Sequence, residues 1–177
     1  QGRIVAVGTG ATGAIDKLQQ IVGVALAPAT RRAVGEQMRE FFGAERFEAF
    51  KAHQQARQPV VFVGPYEHHS NEVTWRQGLA TVVEVNLADD GSVDVKHLES
   101  LLHEPEYQGR LRIGAFSAAS NVTGMRSPVR EIARLLHAHG AYACFDYAAS
   151  APYVEIDMNP APDGEGEDVL RPAPLRL

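Results

Sequence analysis

The chain has 177 residues, 45% of them hydrophobic and 22% charged, which suits one globular domain with a sizeable core rather than two. A formal net charge of -5 leaves no electrostatic basis for binding nucleic acid or an anionic membrane, and no apolar run approaches the ~20 residues of a membrane span. A single cysteine, Cys144, excludes an internal disulfide framework and, with no signal peptide opening the chain, makes a reducing, cytoplasmic setting the expected one.

In chain order, residues 3–7 form a short β-rich run that ends in glycines and is expected to be a buried strand. Residues 11–22 carry Ile15, Leu18, Ile21 and Val22 at helical spacing, so the opening reads as strand, Gly-rich turn, helix. Residues 24–58 read as helical in pieces, around 32–42 and 44–56. Residues 59–63 and 81–85 are the next two buried strands, and Asp90-Gly91 marks a turn. A helix is expected over 93–102, with Asp94 or a neighbour near its start, followed by a fourth strand over 111–116. Residues 128–139 form an amphipathic helix: Pro128 stands in its first turn, Ile132, Leu135 and Leu136 line one face, and Gly140 stops it. Residues 141–145 make the fifth strand, closed by Asp146. Strands alternating with helices imply βαβ units and a mostly parallel sheet. Residues 160–177 turn to Pro, Gly, Asp and Glu with little apolar patterning and are expected to form an irregular or disordered tail.

Four segments carry candidate chemistry. Gly8-Thr9-Gly10-Ala11-Thr12-Gly13 opens a helix, where glycines let an anion approach the backbone and the helix presents free N–H groups and its positive dipole end. It also fits the Gly-x-Gly-x-x-Gly dinucleotide pattern, but the acidic residue that pattern wants about 20 positions on has no strand end to occupy; a tight turn without a ligand is the third possibility. Glu67-His68-His69-Ser70-Asn71 follows a strand. Adjacent histidines on an extended segment point apart and chelate poorly, so no metal site is expected. One of them can face a pocket, or the segment can be a helix entrance capped by Ser70 or Asn71. Asn121, in Ser120-Asn121-Val122-Thr123-Gly124, stands at a strand's carboxyl end, where open α/β sheets bind ligands, though a plain Asn/Gly turn reads the same way. Asp146 follows an apolar strand and needs a partner, either a protonated ring nitrogen or a backbone cap on the next turn. Cys144, two residues earlier, is expected on the same face as a buried, inert thiol.

Taken in order and spacing, these four phrases resemble the class V aminotransferase/cysteine desulfurase superfamily, pyridoxal-5′-phosphate (PLP) enzymes of fold type I, over roughly residues 4–159. The resemblance implies a three-layer α/β/α sandwich with a mostly parallel sheet, most of the large PLP-binding domain, over residues 1–159. It implies that Ala11 and Thr12 hold the PLP phosphate. His68 would stack on the pyridine ring and move protons, Asp146 would pair with the ring nitrogen, and Asn121 would contact the cofactor–substrate side. The implied substrate is an amino acid, with transamination or cysteine/selenocysteine lysis as the reaction, and the implied assembly is a homodimer.

The chain departs from the family pattern twice. Ala149 stands where the family usually has a glutamine that bonds the cofactor's phenolic oxygen. The family's later Ser-x-His-Lys segment, whose lysine carries the cofactor, has no counterpart: the three lysines are Lys17, Lys51 and Lys96, all in expected helices outside the motifs. The chain is therefore expected to be a central fragment of the large domain, inactive by itself. The rival readings are a nicotinamide-dependent oxidoreductase built on the Gly-rich turn and a degenerate domain kept for binding or oligomerisation.

Overall fold

β-Branched and aromatic runs pair into one sheet in a computed structural model that describes residues 4–158; the tail expected over 160–177 lies outside the described residues. The elements are α1 (Gly10–Ile21), α2 (Pro28–Phe42), α3 (Ala44–Gln55), β1 (Val60–Val63), α4 (His69–Gln77), β2 (Thr81–Glu84), α5 (Val95–His103), β3 (Arg112–Ser117), α6 (Val129–Ala138) and β4 (Tyr142–Asp146). The four strands run in the order β2-β1-β3-β4, every pair parallel. All of their carboxyl ends therefore lie on one side of the molecule.

Val60, Val61, Phe62 and Val63 of the central strand are all fully buried, because helices cover both faces of the sheet and no alternation with polar residues is needed. Val60 and Phe62 pack with Leu98 and Leu102 of α5 and with Ile132 and Leu136 of α6. Val61 and Val63 face the other way, against Ile15 of α1 and Trp75 of α4. This gives the expected three layers, α/β/α. On β3, Gly114 is required by packing, since a Cβ there would overlap Leu136 Cδ1 and sit 2.8 Å from Phe116 Cε2. Asp94 caps α5, its carboxylate accepting from His97 N at 3.0 Å, and Gly91 takes φ +82° in the turn before it.

One expected strand does not form. Residues 4–7 are coil, with Ile4 fully exposed and Val5 67% exposed. β-Propensity is realised only where a neighbouring strand can complete the hydrogen-bond ladder. The sheet ends at β2 and β4, and residues 4–7 pair with neither. Helices α2 and α3 bury no residue and lean on each other through Arg39, which pairs with Glu48 at 2.7 Å and lies over the Phe47 ring.

Candidate functional site

The carboxyl ends of the strands open onto a cleft of about 350 Å³ that is lined by Ala11, Thr12, His68, Asn121 and Asp146. These are the residues singled out in the sequence; they span 136 positions and come together because each follows a strand or begins a helix at the same end of the sheet. Ser70, Ser117, Ala148 and Ala149 complete much of the wall.

Helix α1 enters the cleft with its amino end. Gly10, at φ +61°, makes the sharp entry, and Gly13 N bonds Thr9 O at 3.3 Å. The N–H groups of Ala11 and Thr12 stand ahead of the first intrahelical donor and have no helical acceptor. The first turn holds no acidic side chain, so nothing opposes the positive end of the helix dipole.

His68 is the N-cap of α4. Its Nδ1 accepts from Ser70 N at 3.3 Å and lies 2.8 Å from Ser70 Oγ. The helix entrance expected at this motif is therefore real, but the cap is His68 and not Ser70 or Asn71. An imidazole nitrogen can accept at a cap just as a carboxylate does, which the preference for Ser, Thr, Asp and Asn hides. Since Nδ1 accepts, a neutral ring carries its proton on Nε2. His68 thus satisfies both readings of the motif, capping a helix and facing the cleft.

Asp146 ends β4 beside Ser117 of β3, its register partner. Its Oδ1 accepts from Ala148 N at 2.8 Å. The backbone cap is present, then, and occupies one carboxylate oxygen of a residue that also lines the cleft. Asn121 is exposed in the turn after β3, which Ser120 Oγ holds by accepting from Val122 N and Thr123 N, both at 3.2 Å. Cys144 packs with the Ile15–Trp75 cluster but is only partly buried rather than fully so, and desolvation pushes its thiol up to about 11, which disfavours the reactive thiolate.

Glu67 and Ser117 were missed as site residues. The half-buried Glu67 carboxylate closes the gap between β1 and β3, the point where the order of connection reverses and where such sheets bind ligands. Its Oε1 accepts from Gly64 N at 3.1 Å and Ser117 N at 2.8 Å; its Oε2 accepts from Ser117 Oγ at 2.7 Å and Asn71 Nδ2 at 2.8 Å. Burial raises the Glu67 carboxyl above its ordinary value, against those hydrogen bonds, which lower it. The available signal was an acidic residue just after a fully apolar strand, which must find buried donors. Nothing in the sequence marks Ser117. None of the three lysines lines the cleft: Lys17 lies 3.4 Å from Gln20 Oε1 on α1, Lys51 pairs with Glu48 on α3 at 3.0 Å, and Lys96 is exposed on α5.

The sequence profile of the family described as aminotransferase class-V matches residues 48–161. The turn at 8–13 lies ahead of that match and enters the cleft by geometry alone. Over 102 residues the chain is 36% identical to a probable cysteine desulfurase of Halalkalibacterium halodurans, covering 55% of this chain and 24% of that protein. Over 122 residues it is 32% identical to probable cysteine desulfurase 2 of Mycobacterium leprae, covering 67% and 27%. Among solved structures, the cysteine desulfurase CsdA from Escherichia coli aligns with TM-score 0.45 and 31% identity, over 52% of this chain and 23% of that one. The chain spans about a quarter of the length of the curated relatives it matches.

Proposed function

Because the chain belongs to the class-V aminotransferase family, whose cofactor is PLP, we propose that the cleft at the carboxyl ends of β1, β3 and β4 is a PLP site of an enzyme acting on amino acids. The observation that carries the reading is that Thr12, His68, Asn121 and Asp146 line one cleft. The donor set fits the group. An acid-free helix start with two unused N–H groups suits a phosphate, and a carboxylate lining the same cleft suits a protonated pyridine nitrogen.

In this arrangement Ala11 and Thr12 bind the phosphate through their N–H groups, and Thr12 adds its hydroxyl. Asp146 keeps a proton on the ring nitrogen while Ala148 N fixes the carboxylate's orientation. His68, held by Ser70 through Nδ1, lines the cleft, and its ring is the group able to move a proton there. Asn121 contacts the substrate side. The bound cofactor supplies an electron sink for bonds broken at the α-carbon of an amino acid. Transamination and the lysis of cysteine-like substrates both fall within that chemistry, and a homodimer is the assembly proposed for the whole protein. Ala149 lines the cleft with a methyl group and offers the cofactor no hydrogen bond.

With no lysine on the cleft among the described residues, these 177 residues bind the cofactor without turning over substrate. The test is a PLP titration followed by absorbance and fluorescence, beside a parallel titration with NAD. Saturable PLP binding weakened by Thr12→Ala and by Asp146→Ala is expected. NAD binding tighter than PLP, or PLP affinity indifferent to both substitutions, would overturn the assignment.

A further inference from the structure

Away from the cleft, in the layer formed by α5 and α6, His103 and His139 bring their Nε2 atoms to 3.4 Å. The other nitrogen of each ring lies on a backbone carbonyl: His103 Nδ1 is 2.8 Å from Glu99 O, and His139 Nδ1 is 2.9 Å from Leu135 O. A carbonyl only accepts, so both rings donate from Nδ1, and each neutral ring carries a lone pair on Nε2. The ring centroids are 4.8 Å apart, farther than the nitrogens. The two rings stand nearly perpendicular, at 81°, with their Nε2 atoms at the near edge of the pair.

With both rings donating from Nδ1, a neutral pair has no proton to share across the 3.4 Å between its Nε2 atoms, and the two facing lone pairs repel. The gap has the dimensions of a metal site: two Zn–N bonds of about 2.0–2.1 Å at a tetrahedral angle hold their nitrogens about 3.4 Å apart. Metal-bound histidines characteristically donate their second ring N–H to a carbonyl or carboxylate, which fixes the tautomer, and both rings already do so. His103 is the last residue of α5 and His139 the C-cap of α6, so the pair lies at the negative ends of two helices, which already hold one cation. The nearby Arg112 guanidinium is engaged by the carbonyls of Leu102 and His139.

We propose that His103 and His139 form a two-histidine site for a divalent transition-metal ion of the imidazole-preferring kind, Zn²⁺, Ni²⁺ or Cu²⁺. Mg²⁺ and Ca²⁺ are excluded by their demand for oxygen ligands. No group of three or more potential ligands occurs among the described residues, so water completes the coordination and the ion stays accessible. The ligands lie 36 positions apart on two helices. The unfolded chain does not hold them together, so metal binding stabilises the folded state. This site is independent of the proposed cofactor cleft.

The test is titration of metal-free chain with ZnCl₂ and NiCl₂ by calorimetry, with MgCl₂ as the contrasting ion and His53→Gln as the control variant. One ion per chain is expected. His103→Gln and His139→Gln should each weaken binding at least about tenfold, the scale at which even outer-shell partners act, while His53→Gln leaves it unchanged. Cu²⁺ electron paramagnetic resonance on the unaltered chain keeps the test independent of variant folding: two equivalent nitrogen couplings are expected, falling to one in either variant. Mg²⁺ binding as tightly as Ni²⁺, affinity indifferent to both substitutions, or a Cu²⁺ spectrum with a single nitrogen would overturn the site and leave the pair as one that merely shares a proton.

Discussion

Replacing Glu67 by alanine should be among the costliest single changes near the cleft. It removes the acceptor for Gly64 N, Ser117 N and Asn71 Nδ2, all on buried residues. A buried donor stranded without a partner costs about 1–3 kcal/mol, so three of them cost at least about 3 kcal/mol. Removing a desolvated carboxylate offsets part of that, leaving a net loss of about 2–4 kcal/mol at neutral pH, a large share of a typical 5–15 kcal/mol. Ser117→Ala removes only the hydroxyl and should cost about 1–2 kcal/mol. The assay is urea unfolding followed by fluorescence of Trp75, the one tryptophan, whose Nε1 donates to Asn71 Oδ1 at 3.3 Å within the same network. The cost should also depend on pH. Burial raises the Glu67 carboxyl above 4.5, so just above pH 4.5 the folded chain holds a proton that the unfolded chain releases. Glu67's contribution is thus full below pH 4.5 and declines as pH rises through its folded value. The penalty of Glu67→Ala is therefore larger at pH 4.5 than at pH 8. A penalty below about 1 kcal/mol, one smaller than that of Ser117→Ala, or one that grows with pH would refute this account of the β1–β3 junction.

Thr12→Ala should weaken PLP binding by about 1–2 kcal/mol, the worth of a hydrogen bond to a charged group, read from the same titration that tests the cleft. Gly114→Ala should destabilise the chain by about 1–3 kcal/mol in urea melts, because the new methyl group collides with Leu136 and Phe116 in a core already close-packed. With its thiol near 11, Cys144 has about one molecule in a thousand ionised at pH 8, so iodoacetamide should label it only on unfolding, as mass spectrometry can follow. Purified chain supplied with PLP and cysteine or alanine should release sulfide or pyruvate no faster than a protein-free control; turnover above that, abolished by changing Lys17, Lys51 or Lys96, would show that a lysine reaches the cleft.

What was legible in the sequence divides along physical lines. The runs at 59–63, 81–85, 111–116 and 141–145 were readable as strands because each is rich in apolar residues and bounded by turn residues, and each pairs in the sheet; the central β1 is buried along its length, whereas the edge strands β2 and β4 are only partly buried. The run at 3–7 had the same composition, but its descriptors are local, and the absence of a neighbouring strand is not. The helix over 128–139 was secure because Pro128, the apolar stripe and Gly140 all agree, and it appears as Val129–Ala138.

The cleft was legible for a different reason. His68, Asn121 and Asp146 each follow a strand at its carboxyl end, so predicting the parallel sheet predicted their meeting; Thr12 follows no strand and reaches the cleft at the start of α1. Glu67 escaped because its role is not positional in that sense. It consists in satisfying donors on Gly64, Asn71 and Ser117, and Ser117 lies 50 residues away. His103 and His139, 36 residues apart, escaped likewise. Neither stands in a motif, and each becomes chemically distinctive only once a carbonyl one turn earlier in its own helix has accepted a hydrogen bond from its Nδ1–H. In both cases the information lies in which lone pairs remain after the backbone has been satisfied, and that count can be made only when the partners are in place. The sequence therefore foretold the residues placed by topology, whereas those defined by their hydrogen-bond partners emerged from the folded chain.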